Sequence, residues 1–313
     1  MNFKLVLSAL ALSVCSATAW ATTVGFAQVG SESGWRTQFS ESVKAEAAKR
    51  GIELKFADAQ QKQENQIKAV RSFIAQRVDA ILLAPVVETG WMPVLREAKR
   101  ARIPVIILDR NVALNDDSLY VTRIASDFTE EGRIAARWLM QQSKGQCSII
   151  ELQGTVGATA AIDRAKGFNE VLAQYPQSKI VRSQTAEFTR AKGKEVMESL
   201  LKAENGGKGI CALWAHNDEM ALGAIQAIKE AGLAPGKDMW VVSVDGVPDY
   251  FKAMADGDAN ATVELNPHLG GPAFDVVSKV LDGDKAIPKL IRTTGGLFTQ
   301  DTAAAEYEKR RLN

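Results

Sequence analysis

Apolar residues in this chain gather into short runs of strand length, separated by longer stretches in which they recur every three or four positions. Residues 24–28 form the first run, and Trp35, Phe39, Val43 and Ala47 follow at a spacing of four, which is one face of a helix. The alternation continues with strands predicted at 54–57, 80–84 and 105–108 and with helices around Ile67, Val70 and Ile74 and over 94–100. After an apolar run at 120–125 a second series begins. It has a helix over 130–140, a strand at 148–152, a helix ending near Leu172, and strands at 180–183, 211–215 and 240–244, with helices at 196–201 and 220–228 between them. Strand–helix alternation of this kind predicts α/β lobes built on doubly wound parallel sheets.

The chain has 313 residues, and at about 150 residues per domain that length suits two such lobes. With 46% hydrophobic and 24% charged residues it can bury large cores. No Pro/Gly-rich tether separates the halves, so several short crossings between lobes are expected rather than one linker.

Residues 1–21 differ from the rest: one cation at Lys4, an apolar run over 5–14, then Ala19-Trp20-Ala21. This is the pattern of a secretory signal peptide cleaved after Ala21, and the run is too short for the ~20 residues of a spanning helix. Cys15 follows Val14 rather than a small residue, so lipidation is not expected. Loss of Lys4 leaves 37 basic and 37 acidic residues, and without a basic surplus neither nucleic acid nor an anionic membrane surface is an expected partner. Cys147 and Cys211 remain, each opening an apolar run. If those runs are neighbouring parallel strands a disulfide is feasible; otherwise they are two buried thiols.

Ligands of open α/β sheets bind beyond the carboxyl ends of the strands, where loops converge and helix N-termini present amides. The predicted strand ends here carry Glu32, Ser33, Gly34, Trp35 and Arg36, then Asp109-Arg110, Gln153-Gly154, His216-Asn217-Asp218 and Asp245-Gly246, with Arg164 in the helix after Gln153. Carboxylates, amides and guanidinium groups in mixture suit a polyhydroxylated ligand, because each ring hydroxyl both donates and accepts. Trp35 offers a flat apolar face for a sugar ring. Counting Asp109 and Asp245 against Arg36, Arg110 and Arg164 gives a pocket with about one surplus positive charge, which admits a neutral sugar or a weakly anionic sugar acid.

The segments Ile107-Leu108-Asp109-Arg110, Glu151-Leu152-Gln153-Gly154 with Asp163-Arg164 and Gly167-Phe168, 215–223 and Val244-Asp245-Gly246 resemble, along essentially the whole mature chain, periplasmic sugar-binding proteins of the ribose-binding type, which feed ABC importers. Segments 28–36 and 59–66 are similar to the galactofuranose-binding branch of that family. The resemblance implies a type I periplasmic binding protein fold, two lobes joined by a three-strand hinge. The first lobe would take residues 22–126 plus 265–290, the second 127–264 plus 291–313. It also implies a monomeric receptor for galactofuranose or a related aldose, an ABC permease as partner, and no cofactor. Glu32 to Arg36, Asp109 and Arg110 would bind from one lobe, and Arg164, Asn217 and Asp245 from the other. Ribose-type receptors carry two aromatics in the first loop, whereas here Arg36 follows Trp35, and the contributing position among Glu264, Leu265 and Asn266 stays open.

Among the rivals, an enzyme would need more than His216: no G-x-S-x-G, Walker, G-x-G-x-x-G or H-E-x-x-H motif occurs, and two histidines with two cysteines give no metal spacing. His216 and His268 are expected to be structural. A repressor's effector-binding half is similar in fold but would carry no signal peptide, whereas a receptor serving a chemoreceptor or sensor kinase fits the same residues. Trp91 and Trp214 are expected in the core, and 306–311 as a solvated helix face.

Overall fold

The computed structural model describes residues 21–311, so the expected leader, apart from Ala21, lies outside the described residues. Strands β1 (Thr23–Gln28), β2 (Glu53–Asp58), β3 (Ala80–Leu83), β4 (Val105–Leu108) and β5 (Arg123–Ala125) build one sheet. Strands β6 (Ser148–Gln153), β7 (Lys179–Thr185), β8 (Ala212–Ala215), β9 (Trp240–Asp245) and β10 (Ala261–Glu264) build another. The chain then returns, with β11 (Leu290–Arg292) joining the first sheet and β12 (Leu297–Thr299) the second. The orders are β11-β5-β4-β3-β1-β2 and β12-β10-β9-β8-β6-β7. All pairings are parallel except β12 on β10, so the second sheet has an antiparallel edge.

Helices α1 (Gly34–Lys49), α2 (Gln63–Ala75) and α3 (Met92–Arg100) follow the first strands, and α4 (Phe128–Gln142), α5 (Thr159–Leu172), α6 (Arg190–Ala203), α7 (Asp218–Glu230) and α8 (Pro248–Ala255) follow those of the second series. Helix α9 (Gly270–Leu281) packs back on α1, and α10 (Gln300–Arg310) on α8. Strands β3 and β4, Ala-Ile-Leu-Leu and Val-Ile-Ile-Leu, are buried at every position, as expected of parallel strands covered on both faces.

The chain passes between sheets three times: after β5, after β10, and at 293–296 between β11 and β12. The boundary expected between 290 and 291 therefore cuts β11. Thr293 N still donates to Ala125 O in the first sheet, which moves this crossing downstream. Cys147 and Cys211 stand just before the paired strands β6 and β8 and form a disulfide, Cα to Cα 5.2 Å. Trp91 and Trp214 are fully buried, Trp214 stacked on Phe168 at 5.0 Å. The C-terminal helix is less solvated than its charge pattern suggests, because Arg310 lies over Phe251 and Phe298 and pairs with Glu264.

Candidate functional site

The carboxyl ends of β1, β4, β6, β8 and β9 face one another across the gap between the sheets. A small cavity of about 20 Å³ is lined there by Glu32, Ser33, Trp35, Arg36, Asp109, Arg110, Ala160, Arg164, Phe188, Asn217, Asp245 and Leu265. That is far below the ~300–1,000 Å³ usual for small-molecule pockets, so a sugar ring requires these walls to move apart. Of the expected ligand residues only Gly34 does not line it. Gly34 is exposed and gives its amide to Glu219 Oε1 at 3.2 Å.

On the first lobe the wall is a chain of alternating charges. Glu32 Oε1 accepts from Arg36 Nε at 3.2 Å and from Arg110 Nη2 at 3.3 Å, and Arg36 Nη1 lies 2.8 Å from Asp109 Oδ2. That last contact is an ion pair by distance but too bent for a hydrogen bond, so both atoms keep bonding capacity. Ser33 caps α1 by accepting from Arg36 N, which fixes the start of the helix against the cavity. Burial disfavours the charge on Arg36, yet Asp109 and Glu32 outweigh it and raise its pKa. Arg110 is pushed down to about 10 by burial and then by Arg36, which leaves it cationic at neutral pH.

On the second lobe Arg164 is anchored through Nε to Glu131 Oε2 at 2.8 Å and through Nη1 to His216 O at 2.6 Å, while Nη2 points toward Asp245 at 3.9 Å. Burial raises the Glu131 carboxyl pKa against the pull of Arg164. Burial also raises that of Asp245 well above the usual range, Arg164 opposing and Asp218 adding to it. Asn217 caps α7 through Met220 N and holds Phe188 O with its amide, keeping a second donor and acceptor for other partners. Asp218 is a support beneath the site, accepting from Gly246 N, Val247 N, Thr262 Oγ1 and Ser243 Oγ.

Two aromatic faces border the cavity. The Trp35 indole donates to Leu265 O at 2.6 Å, which identifies Leu265 as the lining residue of the crossing after β10; Asn266 instead turns its Oδ1 to His268 N. Phe188 comes from the loop after β7, with the Arg110 guanidinium 5.0 Å from its ring across the cleft. Sequence reasoning missed Phe188 because polar edge strand β7 was read as ending at Ser183, whereas it runs to Thr185. His216 is fully buried between Glu151, at 3.1 Å from Nε2, and the Gly154 amide, a structural position.

Glu32 also changes the expected charge balance, since by formal charge three guanidinium groups face three lining carboxylates, although burial favours the protonated form of Asp245. Buried polar atoms on both lobes nonetheless lack a hydrogen-bond partner within the protein: Glu32 Oε2, Arg36 Nη1, Asp109 Oδ2 and Arg110 Nε on one, Arg164 Nη2 on the other. Such atoms are costly unless something bonds them, and here they converge on one space. No cluster of three or more His, Cys, Asp or Glu suited to a metal occurs among the described residues.

Two α/β lobes, three crossings and a polar cavity between them define a two-lobed solute receptor. Residues 24–285 match the family described as periplasmic binding protein domain, and the chain belongs to that family. It is 57% identical over 309 residues to the galactofuranose-binding protein YtfQ of Escherichia coli, covering 98% of this chain and 97% of that protein. It is 34% identical to the ribose import binding protein RbsB of Salmonella typhimurium, covering 92% and 96%. Among solved structures it is similar to the periplasmic binding protein of the arabinose ABC transporter from Shewanella sp. ANA-3, bound to α- and β-L-arabinofuranose. The TM-score is 0.91 at 76% identity, covering 93% of this chain and 96% of that one.

Proposed function

We propose that this chain is a non-enzymatic periplasmic receptor, exported by a cleaved leader, that closes as a monomer on one neutral aldose in its furanose form and delivers it to an ABC permease. The observation that carries this reading is the ring of buried polar atoms, contributed by both lobes to one cavity, that have no hydrogen bond within the protein. A sugar hydroxyl can accept from a guanidinium and donate to a carboxylate, so one small ring can satisfy atoms of both kinds. Glu32 and Asp109 already pair with Arg36 and Arg110, and Glu131 with Arg164, which favours a neutral sugar over a sugar acid that would bring an uncompensated charge into a buried site. The furanose preference rests on the relatives named for galactofuranose and bound to arabinofuranose.

Ligand completes bonds that neither lobe can make alone, and so shifts the population toward the closed form. Submicromolar affinity needs roughly 8–9 kcal/mol, within reach of several charge-assisted hydrogen bonds in a dry cleft. The test is calorimetric titration with L-arabinose, D-galactose and D-galacturonate, with the sugars recovered afterwards. Saturable binding of a neutral sugar, recovered unchanged, is expected. Chemical conversion of the sugar, or preference for galacturonate, overturns the reading.

A further inference from the structure

Helix α1 begins at the rim of the cleft and carries no acidic residue in its first turn, although the partial positive charge of a helix N-terminus favours one. The missing carboxylate comes from the other lobe. Glu219, in the first turn of α7, accepts the Gly34 amide through Oε1 at 3.2 Å and is held from behind by Arg190 Nε on Oε2 at 2.7 Å. Arg190 is itself fixed to Asp249 at 2.8 Å. One carboxylate thus sits between two helix N-termini that belong to different lobes. Glu219 does not line the sugar cavity, so its contribution is separable from ligand contact. Two further bonds cross the cleft, Asn111 N to Thr159 Oγ1 at 2.9 Å and Glu88 N to Gly157 O at 2.9 Å, neither through a charged side chain, and at the hinge Arg292 pairs with Asp127.

We propose that Glu219 is a cross-cleft latch, a positioning residue that caps α1 only when the lobes are together and so sets how long the closed receptor holds its sugar. The proposal rests on the receptor reading above. Because the bond exists only after closure, removing it should speed opening without slowing encounter. The E219A variant is expected to raise the L-arabinose dissociation rate on the order of tenfold, the scale of a hydrogen bond to a charged group, with the association rate within about twofold. E219Q, which keeps an acceptor but not the charge, should fall between. G34P removes the donor at a helix position where proline is tolerated, and its ring also displaces the Glu219 carboxylate, so combined with E219A it should add little to E219A alone.

Stopped-flow tryptophan fluorescence reads the rates. Distances between spin labels at K62C and K166C, on exposed positions of opposite lobes, read the closed fraction independently of sugar chemistry. If no sugar binds, the receptor reading fails, and the closed fraction of wild type against E219A still decides the latch. An unchanged off-rate or closed fraction in E219A, additive effects of E219A and G34P, or a wild-type chain with no closed population overturns it.

Discussion

Asp109 and Asp245 both have positive φ, 62° and 130°, at the ends of β4 and β9, one in each lobe. A non-glycine residue held there costs on the order of 1–3 kcal/mol, and the neighbours that impose it are visible. Arg123 Nε holds the Asp109 carbonyl at 2.9 Å, and Asp218 holds the two amides after Asp245. Asparagine tolerates the left-handed region, so Asp109→Asn keeps the backbone and removes only the charge beside Arg36. Calorimetry should show sugar affinity falling about tenfold, the ~1.5 kcal/mol of a charged hydrogen bond, with little loss of stability. His216 gives a pH prediction. Burial lowers its pKa, with Glu151 opposing and Arg164 contributing, so below the ordinary value of about 6.5 the unfolded chain takes up a proton that the folded chain refuses. Stability from this residue is present above about pH 6.5 and is lost as pH falls toward the lower folded value. Urea unfolding of His216→Gln across pH 5–7.5 should lack that slope; an identical slope would show that another group causes it.

The elements that carry the site are set by close backbone approach. A Cβ on Gly167 would stand 1.8 Å from Thr129 O, and one on Gly132 2.2 Å from Arg164 O, so α4 and α5 touch along the turn that presents Arg164. Gly167→Ala must separate the helices, costing roughly 1–3 kcal/mol by denaturation and weakening sugar binding through displaced Arg164. The Cys147–Cys211 bridge sits at the opposite, amino ends of β6 and β8 and closes a separation of 64 residues. Replacing both with serine should cost about 2–4 kcal/mol of stability and leave sugar affinity unchanged. Buried strands such as β3 and β4 were legible in sequence because both faces are apolar, and the helix stripe of Trp35, Phe39 and Val43 because its period is clear. Edge strands hid. Lys179–Thr185 is largely polar and was expected only over 180–183, and β12 pairs antiparallel through only three residues, so neither periodicity nor length marked it.

Across the whole molecule, site residues were legible where strand ends carry polar side chains, as at Asp109, Asn217 and Asp245. What the sequence could not reveal was partnership between distant positions: within a lobe, Glu32 bridging Arg36 and Arg110 and Glu131 anchoring Arg164, and across the gap, Glu219 reaching Gly34. Those pairs join positions up to 185 residues apart, and the Glu219–Gly34 bond needs the two lobes together. Three crossings permit rotation about one hinge while keeping each sheet rigid, which is how two half-sites can act as one. The most direct measurement is a crystal structure of the chain grown with L-arabinose. One furanose ring is predicted in the cavity, bonded at once to Asp109 or Arg110 and to Arg164 or Asp245; a sugar held by a single lobe, or seated outside this cavity, would contradict the account.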